Sequence, residues 1–133
     1  MYKEISLKGR NILLVEDEMM VAMLLESGLE RAGGTVISAG HVEQAVLLAE
    51  KCEIDIAVLD VNLHGKLSYP VADALIARGI PFIFSTGYGS AQLSTLYPAH
   101  PVLPKPYRPS ALISALLLIL AEQSDVDGTP RKA

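Results

Sequence analysis

The sequence predicts a doubly wound α/β domain, one parallel sheet covered by helices on both faces. Three observations predict it. Apolar, strand-like runs alternate with stretches of helical spacing from Asn11 to Gln123. The third run, Ile54 to Leu59, is nearly continuously apolar after Asp55, as expected of a strand buried on both sides. Residues able to do chemistry stand at the C-terminal ends of the runs, the edge where open parallel sheets bind ligands.

The first strand is Asn11 to Val15. Met20 to Arg31 then shows helical spacing, with Val21, Leu24, Leu25, Gly28 and Leu29 on one face and Glu26 and Glu30 turned away. Gly33 and Gly34 end that helix as a C-terminal cap. Thr35 to Ala39 is rich in β-branched residues and reads as the second strand. His41 to Cys52 is the second helix, with Val42, Ala45, Val46 and Ala49 inward. Ile54 to Leu59 is the third strand, and Asn62 to Pro70 a loop. A helix from Val71 to Arg78, capped by Gly79, leads into the fourth strand, Pro81 to Phe84. Ser90 to Leu96 forms a short, weakly patterned helix after Gly87 and Gly89. Pro98, Pro101, Pro104, Pro106 and Pro109 forbid helix around the last strand, His100 to Pro104. A final helix is predicted from Ser110 to Gln123, and the polar tail from Ser124 to Ala133 is expected to fray. Five strands, five helices and right-handed crossovers give a flavodoxin-like sheet of order 2-1-3-4-5.

The 133 residues fit one domain, with a core over about 11–123 and flanking tails. Half the residues are hydrophobic and a fifth charged, a globular balance rather than a disordered one. The net charge of −4 and the lack of a basic patch argue against a nucleic-acid surface. Residues Met1 to Arg10 lack the apolar centre of a signal peptide, and the longest apolar stretch, Ala111 to Ala121, is too short to span a bilayer. The single cysteine, Cys52, suits a reducing compartment and a structural role. These features predict a cytoplasmic protein without membrane or nucleic-acid partners.

The sheet order would carry Glu16 and Asp17, after the first strand, beside Asp60, after the third. Ser85 and Thr86 end the fourth strand and Lys105 the fifth. Three carboxylates suit a hard divalent cation such as magnesium. The cation, a hydroxyl and an ammonium could hold a phosphoryl group on Asp60. Each residue also has an ordinary reading by itself. Glu16-Asp17-Glu18 could be a solvated loop favouring a helix N-terminus, Asp60 a cap, Thr86 a turn hydroxyl and Lys105 a surface charge. Their joint placement favours the site. His41, His64 and His100 lack metal-ligand spacing and are expected at the surface. Met19, Met20 and Met23 are expected to pack, the first two partly lining the crevice. No phosphate-binding glycine loop is present.

In this order and at these strand ends, the chain resembles the receiver domain of two-component response regulators from about Asn11 to Gln123. Phe84-Ser85-Thr86-Gly87-Tyr88 with Lys105-Pro106-Tyr107 is similar to the FATGUY subgroup, with Ser85 in place of alanine. Asp60-Val61-Asn62-Leu63 and Ser68-Tyr69-Pro70 are also similar to it. The resemblance implies that Asp60 accepts a phosphoryl group from a histidine kinase, in a phosphoacceptor domain rather than an enzyme. It implies magnesium on Asp17 and Asp60, with the backbone carbonyl of Asn62 as a further contact and Glu16 acting through water. Glu16 stands where aspartate is commoner. Thr86 and Lys105 would hold the phosphoryl oxygens, with Tyr88 and Pro106 modulating the site. No output domain is expected after the last helix, so signalling would pass by binding a downstream protein or relaying the phosphoryl group.

Two other classes compete. A haloacid-dehalogenase-type phosphohydrolase also uses Asp, Thr, Lys and magnesium, but its second aspartate falls at Asn62 here. A pseudo-receiver would have lost an acidic ligand, Asp60 or Lys105, and none is lost. Many receivers couple the threonine to an aromatic ring three residues before the lysine, where this chain has Val102. The switch is therefore expected in the loop and helix from Gly87 to Leu96, with Tyr88 screening the site.

Overall fold

The computed structural model describes residues 6–87 and 91–125. Its main sheet is parallel and five-stranded: β1 (Asn11–Val15), β2 (Thr35–Ala39), β3 (Ile56–Asp60), β6 (Phe82–Thr86) and β7 (Val102–Pro104), in the order β2-β1-β3-β6-β7. This is the predicted 2-1-3-4-5 order. The numbering rises because two short strands, β4 (Asn62–Leu63) and β5 (Lys66–Leu67), pair antiparallel within the segment expected to be loop. His64 and Gly65 turn this hairpin with φ of 51° and 85°, the positive values that a two-residue turn of matching twist requires.

Helices α1 (Met19–Arg31) and α5 (Pro109–Asp125) cover one face of the sheet. Helices α2 (Val42–Lys51), α3 (Tyr69–Ala77) and α4 (Ala91–Leu96) cover the other. Strand alternation divides the core accordingly. Leu13, Val15, Ala57, Leu59, Phe82 and Phe84 pack in the layer of α2, α3 and α4. Ile12, Leu14, Ile56, Val58 and Ile83 pack with Leu25, Leu29, Leu112 and Leu116 of α1 and α5. Among the described residues, no helix is long and apolar enough to cross a membrane.

Several boundaries move. β3 begins at Ile56, because Asp55 is spent on β1: its carboxylate accepts the Asn11 N–H at 2.7 Å. The fourth strand of the main sheet extends through Ser85 and Thr86, whose backbones pair with β7. α3 begins at Tyr69 rather than Val71, since Pro70 is tolerated in a helix's first turn.

Burial of α1 departs from expectation. Leu24 was expected to face inward and is 57% exposed. The buried stripe runs through Leu25 and Leu29, and Leu24 lies about 100° round the helix from Leu25. Met19, Met20 and Met23 are likewise exposed rather than packed, away from the buried stripe of Leu25 and Leu29. Gly28 is explained by the neighbouring helix: a Cβ there would stand 2.8 Å from Cβ of Pro109, at the start of α5. His41 and His64 are exposed, as expected, and their rings stack at 5.3 Å. His100 is not a plain surface residue. Its ring stacks on buried Phe82 at 4.6 Å, its Nδ1 is buried without a hydrogen-bond partner, and burial lowers its pKa.

Candidate functional site

The C-terminal ends of β1, β3, β6 and β7 converge on one crevice, whose lining includes Asp17, Asp60, Asn62, Thr86 and Lys105. Its polar residues are delivered by the same alternation that builds the core. Glu16 follows Ile12 and Leu14 on the face of α1 and α5, and Asp60 follows Ile56 and Val58. Lys105 arrives on that face two residues after Leu103, while Thr86 continues the opposite side, after Phe82 and Phe84.

Glu16 and Asp60 are buried, at 6% and 7% exposure, and share one partner. The Lys105 ammonium donates to Glu16 Oε1 at 3.1 Å and to Asp60 Oδ2 at 3.0 Å. Glu16 Oε2 accepts the Glu18 N–H at 3.1 Å, closing the turn into α1. Asp60 Oδ1 accepts the Asn62 N–H at 3.4 Å. Asp17, partly exposed, is tied to the hairpin, where its Oδ2 accepts the His64 N–H at 2.8 Å. Lys105 is anchored through its own N–H, which donates to the Thr86 carbonyl at 2.8 Å, and the Lys105–Pro106 peptide is cis.

Burial pushes the Glu16 and Asp60 carboxyls above their ordinary pKa, and the charges of neighbouring carboxylates add to it. For Lys105 burial acts downward, but the Asp60 and Glu16 carboxylates outweigh it and the net shift is up. The ammonium therefore stays charged between them. Carboxylate oxygens of Glu16, Asp17 and Asp60 lie within 4.8 Å of one another, against that single ammonium. The excess negative charge and the hard oxygen donors fit a divalent cation such as magnesium.

Every site residue expected from the sequence that lies among the described residues is found at this crevice or on its rim. Asn62 is exposed; its side-chain oxygen accepts the Gly65 N–H at 2.8 Å and so belongs to the hairpin turn. Pro106 is exposed beside Lys105. Tyr88 lies outside the described residues. Val102 holds the place expected to lack an aromatic ring, yet an aromatic ring stands nearby. Tyr97, just after α4, packs on Phe84 and Tyr69 at 5.2 and 5.4 Å and donates to Asp73 of α3 at 2.8 Å.

Two partners escaped the sequence reading. One is the His64 backbone N–H on Asp17, a contact no side-chain pattern announces. The other is Tyr107, whose hydroxyl lies 3.1 Å from Oγ of buried Ser85. Alternation along β6 is the signal for it, since Ser85 and Thr86 must face opposite ways.

Comparison with known proteins agrees with this arrangement. The family model for the response regulator receiver domain matches residues 12–117. A Bacillus subtilis relative, the uncharacterized transcriptional regulatory protein YbdJ, is 31% identical over 111 residues, 80% of this chain and 49% of its own length. The chain thus spans about half the length of that curated relative. SdrG from Sphingomonas melonis Fr1, solved in solution, is 41% identical, with a TM-score of 0.66 over 82% of this chain and 96% of its own. The BeF3-activated conformation of SdrG superposes with a TM-score of 0.69 at the same 41% identity, over 83% of this chain and 95% of its own. Receiver domains are phosphoacceptor signalling domains rather than enzymes in the usual sense. With its sheet order, its acidic cluster at the strand ends and a family match over most of its length, this chain belongs to the response regulator receiver domain family.

Proposed function

We propose that Asp60 accepts a phosphoryl group from a phosphohistidine of a histidine kinase, and that the phosphorylated domain signals to a downstream protein or relays the group. One observation carries this reading. Asp60 ends the central strand of the sheet, buried, with the Lys105 ammonium at 3.0 Å and two further carboxylates clustered around it. Glu16, Asp17, Asp60 and the backbone carbonyl of Asn62 would hold magnesium. The bound cation would offset the repulsion between Asp60 and an incoming phosphoryl group.

The chain's own residues do the rest. An Asp60 carboxylate oxygen attacks phosphorus, and the P–N bond to the donor imidazole breaks with its electron pair leaving on nitrogen. Lys105 stands ready to transfer its hydrogen bonds from the resting carboxylates to the new phosphoryl oxygens. The Thr86 hydroxyl supplies a second contact from the other side of the sheet. Asn62 disfavours a phosphohydrolase reading, because its amide oxygen accepts a backbone N–H and cannot carry a proton. SdrG supports the receiver reading by relation, since it takes up an activated conformation with BeF3.

The test is incubation with magnesium and phosphoramidate followed by intact mass. Wild type should gain one phosphoryl group, and Asp60→Asn should gain none. A gain of mass that survives Asp60→Asn would refute the assignment of the acceptor.

A further inference from the structure

Lys105 has a long way to reach. It leaves the end of β7 and crosses β6 to meet Asp60 on β3. Ser85 stands in that path on the same face: it is the register partner of Asp60 on one side and of Leu103 on the other. Its side chain is 1% exposed, and its Oγ lies 3.1 Å from the hydroxyl of Tyr107, two residues beyond Lys105. The segment carrying the lysine is therefore fastened to β6 at both ends. Lys105 N–H holds the Thr86 carbonyl, and Tyr107 holds Ser85. Burial raises the Tyr107 phenol further above its ordinary pKa, so it is a hydrogen-bonding hydroxyl and not a further anion.

We propose that Ser85 and Tyr107 form a positioning pair that aims the Lys105 ammonium at Asp60. The proposal rests on Asp60 being the phosphoacceptor. Lysine has a flexible four-carbon stem, and an ammonium contributes to transfer only while it is held where charge develops. The hydroxyl pair contributes no charge to the reaction and touches no reacting atom; it fixes the backbone from which Lys105 extends.

The test separates positioning from packing. Ser85→Ala or Tyr107→Phe alone leaves a buried hydroxyl unpaired and lowers the melting temperature. The double variant removes both hydroxyls and recovers most of that loss. Phosphorylation by phosphoramidate, in which the P–N bond breaks and its electron pair leaves on ammonia, should behave differently. Both single variants and the double variant should be about three- to tenfold slower than wild type, the range expected for one lost hydrogen bond, with magnesium affinity unchanged. In a Lys105→Ala background the hydroxyl deletions should slow the reaction no further. A second readout needs no phosphorylation. The 15Nζ ammonium signal of Lys105 in the resting protein should be resolved in wild type and exchange-broadened in the double variant. An unchanged Lys105 signal, a wild-type rate in the double variant, or an equal slowing in the Lys105→Ala background would each overturn the proposal. A wild type that takes up no phosphoryl group would instead overturn the reading of Asp60.

Discussion

Replacing Asp60 by asparagine should stabilise the metal-free protein. Asp60 stands within 4.8 Å of carboxylate oxygens of Glu16 and Asp17, and 3.0 Å from the Lys105 ammonium. At an effective dielectric constant of about 20, unit charges at those separations repel by about 3.5 kcal/mol per pair and attract by about 5.5 kcal/mol. Two repulsions and one attraction thus nearly balance, so the burial of the Asp60 charge carries the sign, and with solvent around the partly exposed Asp17 the net penalty is ~1 kcal/mol. For a domain of this size the corresponding rise in melting temperature is about 3–5 °C.

The sign can be checked through pH. Burial first, and the Asp17 charge in addition, raise the Asp60 pKa above its ordinary 3.8. A carboxyl raised in the folded state carries no penalty below its unfolded pKa and the full penalty above its folded one. The advantage of Asp60→Asn should therefore be present at pH 7 and fade as pH falls through the raised value towards 3.8. Saturating magnesium should shrink or invert it, because the cation stabilises the wild-type cluster preferentially. The assay is thermal unfolding of both proteins in chelator across that pH range, repeated with magnesium. A variant no more stable than wild type at neutral pH, or a difference independent of pH, would refute this electrostatic account.

Asp17→Lys should abolish magnesium binding, because it exchanges a ligand for a repelling cation; a magnesium titration followed by amide spectra would show an unchanged affinity if the assignment were wrong. Lys105→Ala should leave the fold intact but remove the spectral shift that accompanies phosphorylation, since the differential contact between the two states is lost. Gly28→Ala should destabilise by about 1–3 kcal/mol, against the gain that alanine normally brings to a helix, because its Cβ would collide with Pro109; denaturant unfolding measures the sign. Tyr97→Phe should cost about 1 kcal/mol and hasten amide exchange in α4, by releasing its end from Asp73.

The main sheet was legible because its strands are short apolar or β-branched runs, four of them closed or followed at once by a polar residue (Glu16, Asp60, Thr86 and Lys105), and because parallel topology leaves few arrangements for such runs. The site was legible for the same reason: residues at the ends of parallel strands must meet. Where the reading failed, the cause was local. Asp55 reads as the second residue of a strand, but its carboxylate is used to hold β1. Leu24 fits an apolar spacing that counts residues without knowing where the neighbouring helix lies. The hairpin at His64 and Gly65 has too few residues to show a period, and its backbone contact with Asp17 involves no side chain of His64. For the Ser85–Tyr107 pair, alternation along β6 turns Ser85 away from Thr86, but no periodicity reaches from β6 to Tyr107, 22 residues on.

The division of the apolar interior by the sheet has a consequence for how sequence change can accumulate in this chain. The two half-cores are separated by a layer of backbone, so repacking of Phe82 and Phe84 need not be answered by Leu112 or Leu116. Lys105 and Asp60 belong to one half and Thr86 to the other, and the rim of strand ends is where the halves come together. A group held there by both sides would act as a rivet between two otherwise independent compartments. Each compartment can drift in composition while the rim stays fixed, so the face shown to partners can diversify without retuning the chemistry.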